Sequence, residues 1–133
     1  MKAGDVFCFF NFEFEDGSTQ TKLLIILNTP VNDEPYLVSL TTSQFKRWRS
    51  NKPGCYSEHN YYFVDSKQDN FDKDTWVLFD RIFEIDVARL LNSHFKDGSY
   101  SLFELSPDLW KAIKNCILKS KDIELKYLEM ISK

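Results

Sequence analysis

Along most of the chain the apolar positions recur in short runs or in period two. Only the last third changes to a helical period. Val6 to Phe14 (V-F-C-F-F-N-F-E-F) alternates with polar residues only towards its end. That pattern predicts a strand buried on both faces at first and half-exposed later. Glu15-Asp16-Gly17-Ser18-Thr19-Gln20 is polar and carries the Asp-Gly turn signal. Lys22 to Asn28 (K-L-L-I-I-L-N) is a short apolar run, and its length and the following Pro30 favour a central strand over a helix. Thr29 to Pro35 reads as a loop, Tyr36 to Leu40 as the third strand and Tyr61 to Asp65 as another. Ser66 to Asp74 is a polar connection, and Thr75 to Ile85 (T-W-V-L-F-D-R-I-F-E-I) a long strand. Tyr100 to Leu105 follows the Asp97-Gly98 turn as the last one. Between strands, Gln44 to Arg49 can form one helical turn before Pro53-Gly54 stops it, and Asp86 can cap a brief helix, Val87 to Leu91.

The end is helical. Ser106 as cap and Pro107 at the first position are a strong start signal, after which Trp110, Ile113 and Ile117 fall on one face. The stripe fails at Ser120 and Lys121. Asp122 is expected to restart a second helix with Leu125, Leu128 and Ile131 as its apolar face. That face must pack on the sheet, on a second subunit or on a partner. Six or so short strands and a terminal helix or helix pair predict a mainly β (β + α) fold. The expected form is a small barrel or strongly curved sheet covered at one side.

Composition narrows the picture. The chain of 133 residues is expected to form one domain, 1–133, with 106–133 as its helical part. Its 43 % hydrophobic content, with 12 Phe, is ample for a core and excludes disorder. A net charge of −3 argues mildly against broad nucleic-acid binding, because counterion release needs Lys and Arg. Cys8, Cys55 and Cys116 are odd in number and share no metal spacing, so they are expected to be reduced, in a cytoplasm. No signal peptide is recognised, and Val6 to Phe12 is too short to span a membrane.

The charge is uneven. Lys46, Arg47, Arg49 and Lys52 follow the third strand with no acid among them, and Thr41 and Thr42 stand where strand and basic segment meet. A hydroxyl pair beside a local cationic field suits a phosphate, and single-stranded RNA is the favoured ligand. A base could stack on Trp48 while the cations track the backbone. The alternative is a solvated turn with Trp48 tucked into the core.

Gly4 to Phe12, then Asp16-Gly17-Ser18 and the run from Lys22, resemble the start of the MazF/PemK type of toxin ribonuclease. Leu40-Thr41-Thr42-Ser43-Gln44 resembles that family's strand end with its threonine. Trp76 to Ile82, followed by Asp86 and Arg89-Leu90, resembles its later W-V-L-x-D-Q-I segment and the short helix after it. These motifs cover residues 4 to about 120 in the family's order. The resemblance implies a Src-homology-3-type barrel, usually a homodimer. The implied activity is metal-independent endoribonuclease cleavage of single-stranded RNA to a cyclic phosphate, held silent by an antitoxin protein in a type II toxin–antitoxin system. No cofactor is implied, no membrane, and no DNA except through an antitoxin complex. The catalytic pair it implies is Lys22 and Thr42. The family has an arginine, usually followed by proline, where this chain has Lys22-Leu23, and a glutamine where it has Arg81. Arginine binds phosphate through a rigid two-point fork, whereas lysine is a movable point charge that can still stabilise a developing dianion.

Transphosphorylation needs a proton acceptor for the 2′-hydroxyl, a donor for the leaving 5′-oxygen and a group that neutralises charge. Lys22 and Thr42 could supply charge and a hydrogen bond, or simply end a strand and cap a turn. Thr41, Ser43, Lys46, Arg47, Trp48, Arg49, Lys52, His59 and Arg81 are the candidate RNA contacts. His59 could serve as general acid or base, or as a surface or packing residue. Arg81 could extend the basic surface or pair with Asp80 or Glu84. His94 lies near no other motif. Glu13, Glu15 and Asp16 offer no converging metal site. Two alternatives to the ribonuclease stand beside it: a catalytically inactive RNA- or protein-binding module of the same fold, and an interaction domain with a peptide in its groove.

Overall fold

Residues 1–43, 52–66 and 68–133 are described by the computed structural model. Strand β1 (Asp5–Glu13), β2 (Thr19–Ile26), β3 (Tyr36–Thr42), β4 (Gly54–Tyr56), β5 (Tyr61–Val64), β6 (Thr75–Ile85) and β7 (Tyr100–Glu104) form one antiparallel sheet in the order β4-β5-β6-β3-β2-β1-β7. Helix α1 (Val87–Asp97) joins β6 to β7, and α2 (Pro107–Leu118) and α3 (Leu125–Ser132) follow. The fold is therefore mainly β with three helices. β4 and β7 stand at opposite edges, so the ladder does not close into a barrel among the described residues.

The two faces of the sheet carry two cores. Residues of one parity, including Val6, Ile25, Leu37 and Phe79, pack against Ile113 and Ile117 of α2 and Ile131 of α3. The opposite parity, including Phe7, Phe9, Leu24, Val38 and Ile85, packs against Leu90 of α1. This is why β1 reads as continuously apolar: both faces of its first half are covered.

Among the described residues the register shifts at three places, one of them between β1 and β7 at Val6/Phe7 and the other two within the β1–β2 and β3–β6 ladders. Between β1 and β2 the register slips between Phe9, opposite Lys22, and Phe12, opposite Gln20. Asn11 there takes φ 57°, a left-handed conformation that asparagine tolerates. The freed Phe10 N–H donates to Ser99 Oγ at 2.9 Å. Between β3 and β6, Ser39 lies opposite Ile82 but Leu40 lies opposite Leu78, leaving residues 79–81 without partners on β3. Their neighbourhood is satisfied otherwise: the buried Ser39 hydroxyl donates to the Leu78 carbonyl, and Phe79 N–H donates to Asn60 O at 2.9 Å. An unpaired buried backbone group would cost about 1–3 kcal/mol, so these bonds make the bulge tenable.

Several expectations change. Cys55 and Cys116 are not reduced but joined in a disulfide between β4 and α2, and only Cys8 is a buried thiol. The pairing spans 61 positions and arises from tertiary packing, which spacing along the chain does not reveal. With it formed, the cysteines no longer argue for a reducing compartment. β4 was not foreseen, being three residues long. α1 runs past Leu91 to a left-handed Gly98, because the polar Ser93 is buried with its hydroxyl bonded to that of Ser99. Asp86 stands at the cap of α1 without a side-chain capping bond. Ser106 does cap α2, accepting from Leu109 N–H at 3.4 Å behind Pro107. α3 begins at Leu125 rather than Asp122, whose carboxylate instead accepts from Asn60 Nδ2 at 2.7 Å. Leu125 is exposed, and Ile131 carries the packing. Among the described residues no helix is long and apolar enough to cross a membrane.

Candidate nucleic-acid interface

Strand pairing decides which side chains share a face, and it brings distant sequence motifs into one row. The β2–β3 ladder runs Ile26↔Val38, Ile25↔Ser39, Leu24↔Leu40. Continued by two residues, the same register sets Lys22 against Thr42. The Thr41 hydroxyl holds the strands together there, donating to Leu23 O at 2.9 Å. On its other side Thr42 pairs with Trp76 of β6, and Trp76 in turn with Phe63 of β5. Directly opposed residues project from the same face of a sheet. Lys22, Thr42, Trp76 and Phe63 therefore form a line across four strands: a cation, a hydroxyl and an aromatic pair. The two rings are stacked, with centroids 4.8 Å apart and planes inclined by 10°. Trp76 is half-buried and Phe63 buried, so the indole is the more accessible of the two.

Where β2 and β3 reach the strand ends, a cavity of about 400 Å³ opens; Lys22 and Thr42 of the row line it, with Leu23, Thr41, Phe71 and Phe103 of the other face, while Trp76 and Phe63 do not. Its lining includes Lys22, Thr41, Thr42 and Ser43, together with Asp72 and Lys73 of the β5–β6 connection. Lys73 and Asp72 are both exposed. The cavity lining thus includes Lys22, Lys73 and Asp72. The β1 bulge lies next to Lys22 and sends the following residues over it: the Lys22 ammonium sits 5.8 Å from the Phe14 ring centroid. Phe14 and Phe83 both pack edge-on against Phe12 at 5.3 Å, which fixes this aromatic wall.

Other expected contacts lie elsewhere. Arg81 pairs with neither Asp80 nor Glu84; its guanidinium meets Glu15 at 3.2 Å and lies over Phe83. It shares a second depression with Lys22, Asp16 and Gln20, so it borders the same end of the sheet with its charge offset by Glu15. His59 is in the short 3₁₀ turn after β4, 6.4 Å from the Tyr61 ring, and does not line the groove. Lys52 is exposed near β4, where its carbonyl accepts from the Tyr56 hydroxyl. Lys46, Arg47, Trp48 and Arg49, with the expected helical turn over 44–49, lie outside the described residues. His94 is remote, with Nδ1 2.6 Å from Ser99 O.

Lys73, Asp72 and the Trp76–Phe63 stack were not singled out from the sequence as site residues. Lys73 stands in a polar connection that resembles any solvated loop. Trp76 and Phe63 fit the strand alternation as ordinary strand residues. Only the register aligns them with Thr42.

The site is thus an open, mixed-charge groove at the end of a bent antiparallel sheet, flanked by aromatic rings. Among the described residues, no group of three or more His, Cys, Asp or Glu side chains is placed to hold a metal ion. A scan against protein-family models finds no match, and a search of curated proteins finds none either.

Proposed function

We propose that this groove binds single-stranded RNA and cleaves it by transphosphorylation, in the manner of a MazF/PemK-like toxin endoribonuclease whose sheet corresponds to that family's barrel. The observation that carries the reading is the row Lys22–Thr42–Trp76–Phe63. A phosphate seated between Lys22 and Thr42 meets a positive charge and a hydroxyl donor, while an unstacked base reaches the Trp76–Phe63 stack on the same face. In the reaction, the 2′-oxygen gives up its proton and attacks phosphorus, the P–O5′ bond breaks, the leaving 5′-oxygen takes a proton from water, and a 2′,3′-cyclic phosphate and a free 5′-hydroxyl result. Lys22 and Lys73 neutralise charge developing on the phosphoryl oxygens, and Thr42 donates to one of them. Asp72 is the carboxylate on the groove wall suited to take the 2′-proton. Such a toxin acts in the cytoplasm and is silenced by an antitoxin protein.

The test is incubation of purified protein with single-stranded RNA in EDTA. Cleavage to cyclic-phosphate ends is expected, reduced by Lys22→Ala and by Thr42→Ala. Lys22→Arg should raise it, because a two-point fork replaces a point charge. RNA left intact at high protein concentration sinks the catalytic reading. The second reading, an RNA-binding module without scission, is favoured by lysine at position 22 and by the distance of His59 from the groove. It predicts salt-sensitive binding, weakened by Trp76→Ala by about 1–3 kcal/mol, with no cleavage. RNA that neither binds nor breaks refutes both.

A further inference from the structure

Leu102 stands at the groove although strand alternation does not place it there. On β7, Phe103 pairs with Val6 and Ser101 with Phe7, so Leu102 falls in the register shift between them. In a regular strand neighbouring side chains point to opposite faces. Here Leu102 and Phe103 line one cavity of about 400 Å³, the same one that Lys22 and Thr42 line. Bulges re-aim side chains in this way and are common beside functional sites. Leu102 is left 42 % exposed. Phe103 is half-buried and meets Phe71 edge-on, with centroids 5.0 Å apart. Leu23 and the buried Phe71 complete this apolar part of the lining.

The connection that carries Phe71 and Lys73 is pinned by its own polar residues. Asp69, at φ 58°, accepts from the N–H of Ser106, the cap of α2, at 2.8 Å. Asp74 accepts from Ser66 N–H at 2.9 Å, and the Thr75 hydroxyl donates to Lys73 O at 2.9 Å. The cavity is thus preformed, and its volume lies in the usual range for small-ligand sites. The charges in its described lining are Lys22, Lys73 and Asp72, a net positive set, to which Thr42 and Ser43 add hydroxyls. Lys22 and Leu102 lie on β2 and β7, with β1 between them, so the cationic and apolar parts of the lining are separate.

We propose that the cavity holds one nucleotide unit, its phosphate on Lys22 and Lys73 and its base on Leu102 and Phe103. This subsite rests on the reading of the groove as an RNA site and adds to it a place for a second base. A nucleotide joins a phosphate anion to a flat, largely apolar base, and the lining is divided in the same way. A bare phosphate or a carboxylate would leave Leu102 uncovered. Trp76 and Phe63 do not line the cavity, so the bases on either side of the bound phosphate are parted: one stacks on Trp76 and the other enters beside Leu102. Asn70, in the same lining, carries an amide that offers a donor and an acceptor to a base edge. Base preference at this position is then set by β7 and the β5–β6 connection rather than by the pair that holds the phosphate.

Fluorescence anisotropy of the full chain with a short single-stranded RNA, and with copies carrying one abasic nucleotide, tests the subsite. In the wild type, two neighbouring positions should each weaken binding about tenfold when made abasic. Leu102→Ser should weaken the intact RNA at least about fivefold and abolish the penalty at one of these positions only. Leu102→Met should restore the wild-type pattern. Leu102 is exposed on an edge strand, so an unchanged thermal melt will show that the fold is kept. Adenosine monophosphate, ribose 5-phosphate and inorganic phosphate, each titrated by NMR to about 10 mM, distinguish a free nucleotide from RNA as the source. If RNA does not bind, but adenosine monophosphate binds more tightly than ribose 5-phosphate and Leu102→Ser removes the difference, the RNA reading fails and the nucleotide subsite stands. RNA bound equally by wild type and Leu102→Ser, or equal losses with intact and abasic RNA, overturns the subsite and leaves the RNA reading in place. Binding of neither RNA nor adenosine monophosphate overturns both.

Discussion

The disulfide between Cys55 and Cys116 makes the sharpest quantitative test of the fold. It joins an exposed residue on the three-residue edge strand β4 to a buried one on α2. The substitution to make is Cys55→Ser. Its side chain is exposed, so the change removes the cross-link without opening a cavity, while Cys116 stays in the core as a thiol. The two residues are 61 positions apart. Closing a loop of that length in the unfolded chain removes conformational entropy equivalent to about 4 kcal/mol at 25 °C. A domain of this size has an unfolding entropy of about 0.28 kcal/mol per kelvin near its midpoint, so Tm should fall by about 15 °C. Adding a dithiol reductant to the wild type should produce the same fall and none in the variant. Thiol titration of the denatured, unreduced protein should find one reactive cysteine, Cys8. Three reactive thiols, or a melt that reduction shifts by less than about 4 °C, would refute the cross-link or its assigned weight.

Two further substitutions probe the packing. Tyr127 donates to Glu84 Oε2 at 2.6 Å, and that bond, with some burial and the nearby charges of Glu84 and Glu124, pushes the phenol up to about 12. Because the folded value lies above the ordinary 10.0, this stabilisation is complete below pH 10 and is lost as pH rises towards 12. Burial also raises Tyr36, Tyr61 and Tyr62, so absorbance titration of Tyr127→Phe should lose one of several late tyrosines, and the variant should show a shallower alkaline loss of stability; unchanged curves would discard the bond. Gly4 has φ +93°, and a Cβ there would lie 3.2 Å from Trp110 Cγ on α2. Gly4→Ala should cost about 1–3 kcal/mol through strain and displacement of the indole, read as a lower urea midpoint, and a neutral result would mean that the turn relaxes freely.

The sequence showed the elements more clearly than their relations. β1 and β3 are legible as short apolar runs, β6 by its alternation and α2 by its cap. α1 is expected only over Val87 to Leu91, whereas it runs to Asp97 with the Ser93 hydroxyl bonded to that of Ser99. The site is half legible. Thr42 and Lys22 carry recognisable chemistry, but their opposition depends on a register that no local pattern states. The residues that complete the groove show the limit best: Lys73 is a polar loop residue until the β5–β6 connection brings it into the same cavity lining as Lys22. In the sequence Arg81 could extend the basic surface or pair with Asp80 or Glu84, and its partner is instead Glu15, 66 positions away.

The disulfide and the row proposed to bind RNA bear on each other through one strand. Gly54 of β4 pairs with Phe63, so the tethered edge lies next to the aromatic end of the row. The row itself is held by the β5–β6 and β6–β3 ladders and by the Thr41–Leu23 bond, none of which passes through β4. Reduction should therefore lower the melting temperature while leaving RNA affinity nearly unchanged at temperatures where the chain stays folded. This separates two accounts of the tether. If it only stabilises, Cys55→Ser binds RNA like the wild type. A loss of affinity in step with the cross-link would mean that β4 positions Phe63 and Trp76, and that the row is built from five strands rather than four.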